Sequence, residues 1–173
     1  MIRGGVEQPR RVAKVCSKPI QNTASHMTQL LVRCIHQAQD CHVRLPEALA
    51  KALQQQSGGG GGASVVPLRL QCISGRSVYV AWVQGSLSGA STPPGVLDVP
   101  TALARCLALK EGEPVEMNVI LNQEHSPRVF VEPISEDDWE ILQLSAGDME
   151  QGLLNQCRVL TTGYASPYWI NGR

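Results

Sequence analysis

The sequence predicts a mainly β protein with short helices, folded as one barrel with internal pseudo-symmetry. Two observations predict it: a repeated strand–helix segment, and apolar residues that alternate with a period of two after each copy. The first copy spans residues 43–53 and the second spans residues 97–107, 54 positions later. The identical positions are Pro46/Pro100, Ala48/Ala102, Leu49/Leu103, Ala50/Ala104 and Leu53/Leu107. Neither half has enough apolar surface to bury itself, so we expect both halves to share one core.

Each copy is typical of a strand end followed by a short helix. Proline stands at the first helical position, where its fixed φ favours the helix and its missing N–H costs no hydrogen bond. Glycine is expected to end the two helices, at Ser57-Gly58 and at Glu111-Gly112. The strands predicted around the helices are residues 29–35, 41–45, 68–72, 78–83 and 115–121, with a hairpin turn at 74–76. Residues 78–83 are apolar on both faces and should form a central, buried strand.

Shifts in composition divide the chain into three parts. Residues 1–27 lack apolar periodicity and are predicted to be a disordered tail. Residues 28–132 form the predicted barrel lobe, with a flexible glycine-rich insertion at 57–64. Residues 133–173 are predicted to begin a second, β-rich lobe that this chain does not complete.

The predicted second lobe starts with helix signals and ends on a strand signal. Ser135, with an acidic residue three positions later, predicts a single helical turn that contains Trp139, followed by an extended stretch at 141–144. Asp148 predicts the start of another helix. The residues that this helix would bury are Met149, Leu153, Leu154 and Cys157. Residues 164–170 predict a last strand without a partner.

The formal net charge is zero, but the charges are unevenly distributed. Residues 1–27 carry five basic groups against one acidic group, whereas residues 111–150 carry eleven acidic groups against one arginine. The acidic stretch argues against nucleic acid as a partner. No apolar run approaches the length of a membrane-spanning helix. Six cysteines, mostly inside apolar runs, favour a reduced intracellular protein.

The residue patterns predict no catalytic residue, no metal and no cofactor. Cys34, His36, Cys41 and His42 lack the spacing that structural zinc sites favour. No Gly-Lys pair occurs, so the phosphate-binding loop motif is absent. The carboxylates at 136–140 are interpreted as a helix start that complements the helix dipole.

Several segments carry a family resemblance. They read Asp-Cys-His-Val-Arg-Leu-Pro at 40–46, Val-Ala-Trp-Val-Gln-Gly at 80–85, Val-Glu-Pro-Ile-Ser-Glu-Asp-Asp-Trp-Glu-Ile-Leu-Gln-Leu at 131–144 and Leu-Leu-Asn-Gln-Cys-Arg-Val at 153–159. These segments resemble the N-terminal domain of peroxisome biogenesis factor one, a peroxisomal AAA ATPase. The resemblance implies a double-psi β-barrel lobe and a smaller β-rich lobe, as in the N domains of the valosin-containing and N-ethylmaleimide-sensitive fusion ATPases. A partner-binding groove would lie between the lobes.

The resemblance also implies a role. The family's ATPase assembles as a hetero-hexamer with peroxisome biogenesis factor six and extracts ubiquitinated import receptors from the peroxisomal membrane. Its ATP and magnesium sites lie in two modules that this sequence lacks. For this chain the resemblance therefore implies a non-enzymatic domain that binds a protein adaptor or substrate, in the cytosol and at the cytosolic face of the peroxisomal membrane.

Two sets of site residues follow as expectations. A proline-stiffened joint between lobes creates a concavity, so the groove is predicted at that joint. Its predicted lining residues are Glu132, Pro133 and Trp139. The alternative is a membrane-surface module in which solvent-facing arginines of the barrel attract anionic lipid headgroups. Those candidates are Arg44, Arg69 and Arg76.

Overall fold

The structure, a computed structural model, describes residues 28–36, 38–56, 65–85, 92–120, 128–130 and 132–170. The predictions for the tail at 1–27 and for the insertion at 57–64 lie outside these residues. The strands are β1 (Thr28–Ile35), β2 (His42–Val43), β3 (Val65–Cys72), β4 (Ser77–Val83), β5 (Val96–Pro100) and β6 (Pro114–Val119). The helices are α1 (Glu47–Gln56), α2 (Thr101–Cys106) and α3 (Glu136–Gln156).

The six strands form one sheet that closes into a barrel. Their order is β2-β4-β3-β6-β1-β5. β1 runs parallel to β5 and β2 runs parallel to β4, whereas the other neighbours are antiparallel. The two outermost strands meet where Arg44 and Asp98 exchange backbone hydrogen bonds of 2.9 and 3.0 Å. The predicted fold class, mainly β with a barrel, is confirmed.

The strand pairing shows the internal two-fold symmetry that the repeat predicted. Exchanging β2 with β5, β3 with β6 and β4 with β1 reverses the sheet order onto itself and preserves every parallel and antiparallel contact. Arg44 and Asp98 occupy equivalent positions of the repeat and pair with each other, so they lie on the two-fold axis. The register pair Leu70 and Met117, between β3 and β6, lies on the same axis at the opposite wall. Such a pseudo-two-fold is what the double-psi resemblance implies.

The core fills the inside of this barrel. Five strands each contribute two alternating side chains that are almost completely buried. They are Leu30 and Val32, Leu68 and Leu70, Val78 and Val80, Leu97 and Val99, and Val115 and Met117. Burial of each of these side chains contributes roughly 1.5–3 kcal/mol. The prediction of a buried central strand holds for β4, where Val80, Ala81 and Trp82 are buried in succession.

The end of the second helix was predicted wrongly. α2 ends at Cys106 and does not continue to Gly112. Ala108 adopts φ +52°, which turns the chain so that Leu107 and Leu109 are both buried. Gly112 instead lies in the following turn, where its N–H donates to the Val32 carbonyl at 2.8 Å. Burial of two closely spaced leucines therefore decided where the helix stops.

The region after Pro133 also differs from its prediction. The expected single turn, extended stretch and second helix are one continuous helix, α3. No proline interrupts residues 136–156, and Glu, Leu, Gln, Ala and Met favour helix strongly enough to carry it past Gly147 and Gly152. The strand predicted at 164–170 does not form, and the described residues from 132 to 170 contain no strand. The domain boundary at 133 stays a prediction.

Candidate partner-binding surface

Apolar side chains are exposed around the start of α3. We define the α3 surface as Phe130, Ile134, Trp139, Ile141 and Leu144, all exposed. Ile134 and Leu144 are more than four-fifths exposed, at 83% and 82%, and Trp139 is 49% exposed. Ile141 and Leu144 are neighbours on one helix face because they are three residues apart. Five large exposed apolar residues within 15 positions are typical of an interaction surface.

The start of α3 is set by its N-cap. The Ser135 Oγ accepts a hydrogen bond from the Asp138 backbone N–H at 3.2 Å and donates to Asp138 Oδ2 at 2.6 Å. The cap satisfies an N–H group that has no partner inside the helix. The sequence prediction of this helix start is confirmed. It places Ile134 just before the helix and Trp139 in its first turn.

The opposite face of α3 is covered. Met149 and the cap residue Cys157 are buried and Leu153 is half-buried, as predicted. Leu154, which was also predicted to be buried, is mostly exposed. Leu142 is half-buried as well and shares the face of Met149, seven residues later. Because one face packs inward, the remaining apolar residues of the helix point outward.

The end of α3 is fastened to the barrel by Gln156. Its carbonyl accepts the Cys41 N–H at 2.7 Å. Its side-chain amide donates to the Trp169 carbonyl at 2.8 Å and accepts the Trp169 N–H at 2.9 Å. The two side-chain hydrogen bonds satisfy the main-chain groups of Trp169, which a strand partner would otherwise satisfy.

A second attachment lies beside β4. β2 is short and pairs with Ala81 and Trp82, so it does not reach the main-chain groups of Tyr79. The Thr161 Oγ1 accepts the Tyr79 N–H at 2.8 Å and donates to the Tyr79 carbonyl at 2.9 Å. The segment after α3 is therefore also held against the barrel wall beside β4.

The predicted groove residues lie within or beside the α3 surface. Glu132 is exposed, Pro133 is half-buried, and both directly precede Ile134. Two surface concavities lie elsewhere, one of about 290 Å³ beside Gln71 and Glu116 and one of about 420 Å³ beside Pro46 and Thr92. Neither is lined by a residue of the α3 surface or by the predicted groove residues. The assignment of Glu132, Pro133 and Trp139 to a partner site therefore stays a prediction.

Exposed acidic side chains are frequent in the segment that carries the α3 surface. Those that are exposed are Glu132, Asp138, Glu140, Asp148 and Glu150. Between residues 128 and 156 the only basic residue in the sequence is Arg128. The formal charge of this segment is consequently negative.

The arginines of the alternative hypothesis are more enclosed than expected. Arg44, Arg69 and Arg76 are all half-buried, and their Nε atoms are shielded from solvent. Arg76 Nη2 donates to the Ala108 carbonyl at 2.7 Å, and Arg69 Nη2 donates to Gln71 Oε1 at 3.4 Å. Their part in lipid binding stays a prediction.

The thiols on the barrel strands and on α2 are not activated. Burial raises the pKa of the Cys34, Cys72 and Cys106 thiols, so the thiolate is disfavoured at each. Within the described ranges no group of three His, Cys, Asp or Glu side chains could hold a metal ion. No described helix is long and apolar enough to cross a membrane.

Sequence reasoning missed most of the α3 surface. The sequence does not mark Phe130, Ile134, Ile141 and Leu144 as surface residues, because an exposed apolar residue looks the same in a sequence as a buried one. The only available signal was the spacing of Ile141 and Leu144, which a continuous helix places on one face. The prediction of an extended stretch at 141–144 conflicts with this spacing, and the structure places these residues in α3.

Comparison with known proteins places these features in a family. The sequence model described as Peroxisome biogenesis factor 1, N-terminal, matches residues 127–173, which include the whole α3 surface. The Peroxisomal ATPase PEX1 of Cricetulus griseus is 30% identical over 138 residues, or 78% of this chain and 10% of that protein. The chain belongs to the peroxisome biogenesis factor 1 N-terminal family. The resemblance noted in the sequence is thereby confirmed.

Other relatives extend the comparison. The Peroxisomal ATPase PEX1 of Homo sapiens is 29% identical over 138 residues, covering 78% of this chain and 10% of that protein. The one from Dictyostelium discoideum is 33% identical over 94 residues, covering 54% of this chain and 8% of that protein. The chain thus spans about a tenth of the length of these relatives. Membership of the peroxisome biogenesis factor 1 N-terminal family connects the chain to peroxisome biogenesis.

Proposed function

We propose that this chain is a non-catalytic recruitment domain of a peroxisomal AAA ATPase that recycles matrix-protein import receptors. It would bind an adaptor or a substrate protein for the motor. The observation that carries the proposal is the α3 surface, which is exposed, apolar and bordered by carboxylates. This surface lies within the residues that match the family.

The surface indicates the chemistry of its partner. Trp139 is the best candidate for a central contact, because tryptophan is enriched among the residues that dominate binding energy. The acidic side chains around it would attract lysine or arginine and would repel an acidic segment. A segment with aliphatic or aromatic anchors and basic flanks is therefore the expected occupant.

The chain would contribute binding, whereas ATP hydrolysis would belong to other parts of the ATPase. ATP and magnesium would be held by those other parts, and assembly with peroxisome biogenesis factor six would occur through them. Recruitment of this kind would take place in the cytosol and at the cytosolic face of the peroxisomal membrane.

The experiment measures the affinity of the purified chain for a purified, ubiquitinated import receptor by fluorescence anisotropy. Substitution Trp139→Ala or Leu144→Ala should weaken binding about tenfold or more, since each removes a large apolar contact. Ile73→Ala is the matched control, because Ile73 is an equally exposed apolar residue on the β3–β4 hairpin. Unchanged affinity in Trp139→Ala, with a native circular dichroism spectrum, would overturn the assignment of this surface.

The membrane alternative is tested by flotation with vesicles that contain anionic lipids. Binding that is lost with salt and with Arg69→Glu would support the lipid-headgroup hypothesis. We favour the protein partner, because half-burial leaves these arginines little freedom to reach headgroups. Capture of the receptor without flotation would agree with it.

A further inference from the structure

Two buried thiols meet where the barrel contacts the end of α3. Cys41 directly precedes β2, and Cys157 is the C-cap residue of α3. They are 3% and 5% exposed. Neither thiol is part of the α3 surface, and both are free cysteines.

The geometry brings the two sulfur atoms together. Cys41 Sγ and Cys157 Sγ lie 3.6 and 3.4 Å from the same atom, Ser166 Oγ. The two thiols are close enough that each shifts the pKa of the other. The main chains are in contact as well, because the Cys41 N–H donates to the Gln156 carbonyl at 2.7 Å. A disulfide requires such close main chains and converging side chains.

The two thiols differ in chemical character. The neighbouring Cys41 thiol lowers the pKa of Cys157 to about 7, so a large share of the Cys157 thiol is ionised near neutral pH. The neighbouring Cys157 thiol and burial both raise the pKa of Cys41, which keeps its proton. Cys157 is therefore suited to attack an oxidant, and Cys41 is suited to attack the product.

We propose that Cys41 and Cys157 form a reversible disulfide that locks α3 to the barrel when the protein meets a peroxide. The Cys157 thiolate attacks one oxygen of hydrogen peroxide, the O–O bond breaks, and Cys157 becomes a sulfenic acid while hydroxide leaves and takes a proton to become water. The Cys41 sulfur then attacks the sulfenic sulfur and loses its proton, the S–S bond forms, and the hydroxyl group leaves as water. Two thiols are oxidised and one peroxide is reduced to two waters.

The segment after α3 controls access to the pair. Ser166 Oγ contacts both sulfur atoms, and the Pro167 carbonyl accepts a hydrogen bond from the Cys41 thiol at 3.3 Å. Peroxide reaches Cys157 when this segment opens, which requires loss of the Gln156–Trp169 hydrogen bonds. The disulfide afterwards prevents α3 from separating from the barrel. The inference concerns the position of α3 and does not depend on the identity of the partner.

The test treats the whole reduced chain with hydrogen peroxide, blocks the remaining thiols by alkylation and maps the peptides by mass spectrometry. We expect a peptide linked between Cys41 and Cys157 that dithiothreitol removes. The oxidised chain should melt about 5–10 °C higher than the reduced chain, because the bond closes a long loop of the unfolded chain.

The controls separate this pair from the other cysteines. Cys34 shares a tryptic peptide with Cys41, so the link must persist in Cys34→Ser and disappear in both Cys41→Ser and Cys157→Ser. Mapping of the parent chain needs no variant and remains decisive if a variant does not fold. A stable, unpaired sulfenic acid at Cys157, a link through Cys16, Cys34, Cys72 or Cys106, or no reaction of either thiol would each overturn the proposal.

Discussion

At the scale of single residues, Asp98 holds the barrel closed. Its buried carboxylate accepts hydrogen bonds from Arg33 Nε at 2.6 Å, from Arg33 Nη2 at 2.8 Å and from Thr92 Oγ1 at 2.9 Å. Its backbone pairs with Arg44 across the seam between β2 and β5. The hydrogen bond to Asp98 raises the pKa of Arg33, so this guanidinium stays charged. The hydrogen bonds of the Asp98 carboxylate thus offset the free-energy cost of burying it, and the Asp98 backbone aligns β5 with β2.

Substitution Asp98→Asn is expected to lower the free energy of unfolding by about 2–3 kcal/mol. The asparagine side chain has the shape of aspartate but lacks the negative charge that pairs with Arg33. Its NH₂ group would face Arg33 or Thr92, which both donate hydrogen bonds at this position. Urea denaturation measures the loss. Lys51→Ala is the control, because it removes the exposed Lys51–Glu47 pair of 2.6 Å, and such pairs contribute little. Equal effects of both substitutions would contradict the importance of burial.

His42 makes stability depend on pH. Its side chain is buried, its Nε2 has no hydrogen-bond partner among the described residues, and burial lowers its pKa despite the nearby Asp40. The folded pKa lies below the unfolded value of about 6.5, so below pH 6.5 the unfolded state binds more protons. The free energy of unfolding should therefore fall as the pH decreases through 6.5, and level off below the folded pKa.

The measurement compares denaturation at pH 7.5 and pH 5.5. The loss of stability between the two should be smaller in His42→Gln than in the parent chain, whereas His36→Gln, at an exposed position, should resemble the parent. A parent-like loss in His42→Gln would refute the assignment to this residue.

At the scale of elements, α3 combines a local signal with a tertiary one. The Ser135 cap is local, and it fixes the first turn whatever the rest of the chain does. The inward face is tertiary, because Leu153 and Cys157 pack with the core of the barrel and Met149 is buried. Much of the first half of α3 is exposed, so its stability rests strongly on the cap.

Removal of the cap should loosen that first half. Ser135→Ala should lower local stability by about 1 kcal/mol, which speeds hydrogen exchange of the amides at 138–141 about fivefold. Exchange mass spectrometry reports the change. Ser135→Asn should restore most of the protection, since asparagine is also a good N-cap. Unchanged exchange in Ser135→Ala would show that other contacts hold the turn.

At the scale of the whole molecule, stability is unevenly distributed. Every strand of the barrel has neighbours on both sides, because the seam between β2 and β5 is bridged. The part after Pro133 is joined to it by hydrogen bonds at Gln156, Thr161 and the two thiols and by packing of Leu153, Tyr164 and Trp169, whereas much of the first half of α3 is exposed. The barrel should consequently open only by global unfolding, whereas the start of α3 should open locally.

Hydrogen exchange of the whole chain tests this difference. The amides of Val78 and Val80 in β4 should exchange roughly a thousandfold more slowly than those at 138–145. The residues that follow α3 should lie between these limits, since Gln156 and Thr161 fasten them. Equal protection in α3 and β4 would mean that the C-terminal region folds as one cooperative unit with the barrel.

Most of the barrel and little of the candidate surface could be predicted. Each copy of the repeat, the alternating strands, the hairpin turn and the Ser135 cap depend on residues close together in sequence, and the structure contains each of them. Helix ends and strand pairing in the C-terminal region could not be predicted in the same way. There, buried leucines ended α2 early, and the Gln156 side chain replaced a strand partner for Trp169.

The sequence by itself determined the fold class, the pseudo-two-fold, the start of α3 and the family, because periodicity, capping and similarity depend on local residue order. Only the tertiary structure decided that Arg44 and Asp98 close the barrel, that Cys41 meets Cys157, and that Trp139 and Leu144 stay exposed. These features depend on which distant segments pack together. Burial is a property of the packed chain, so no single side chain specifies it.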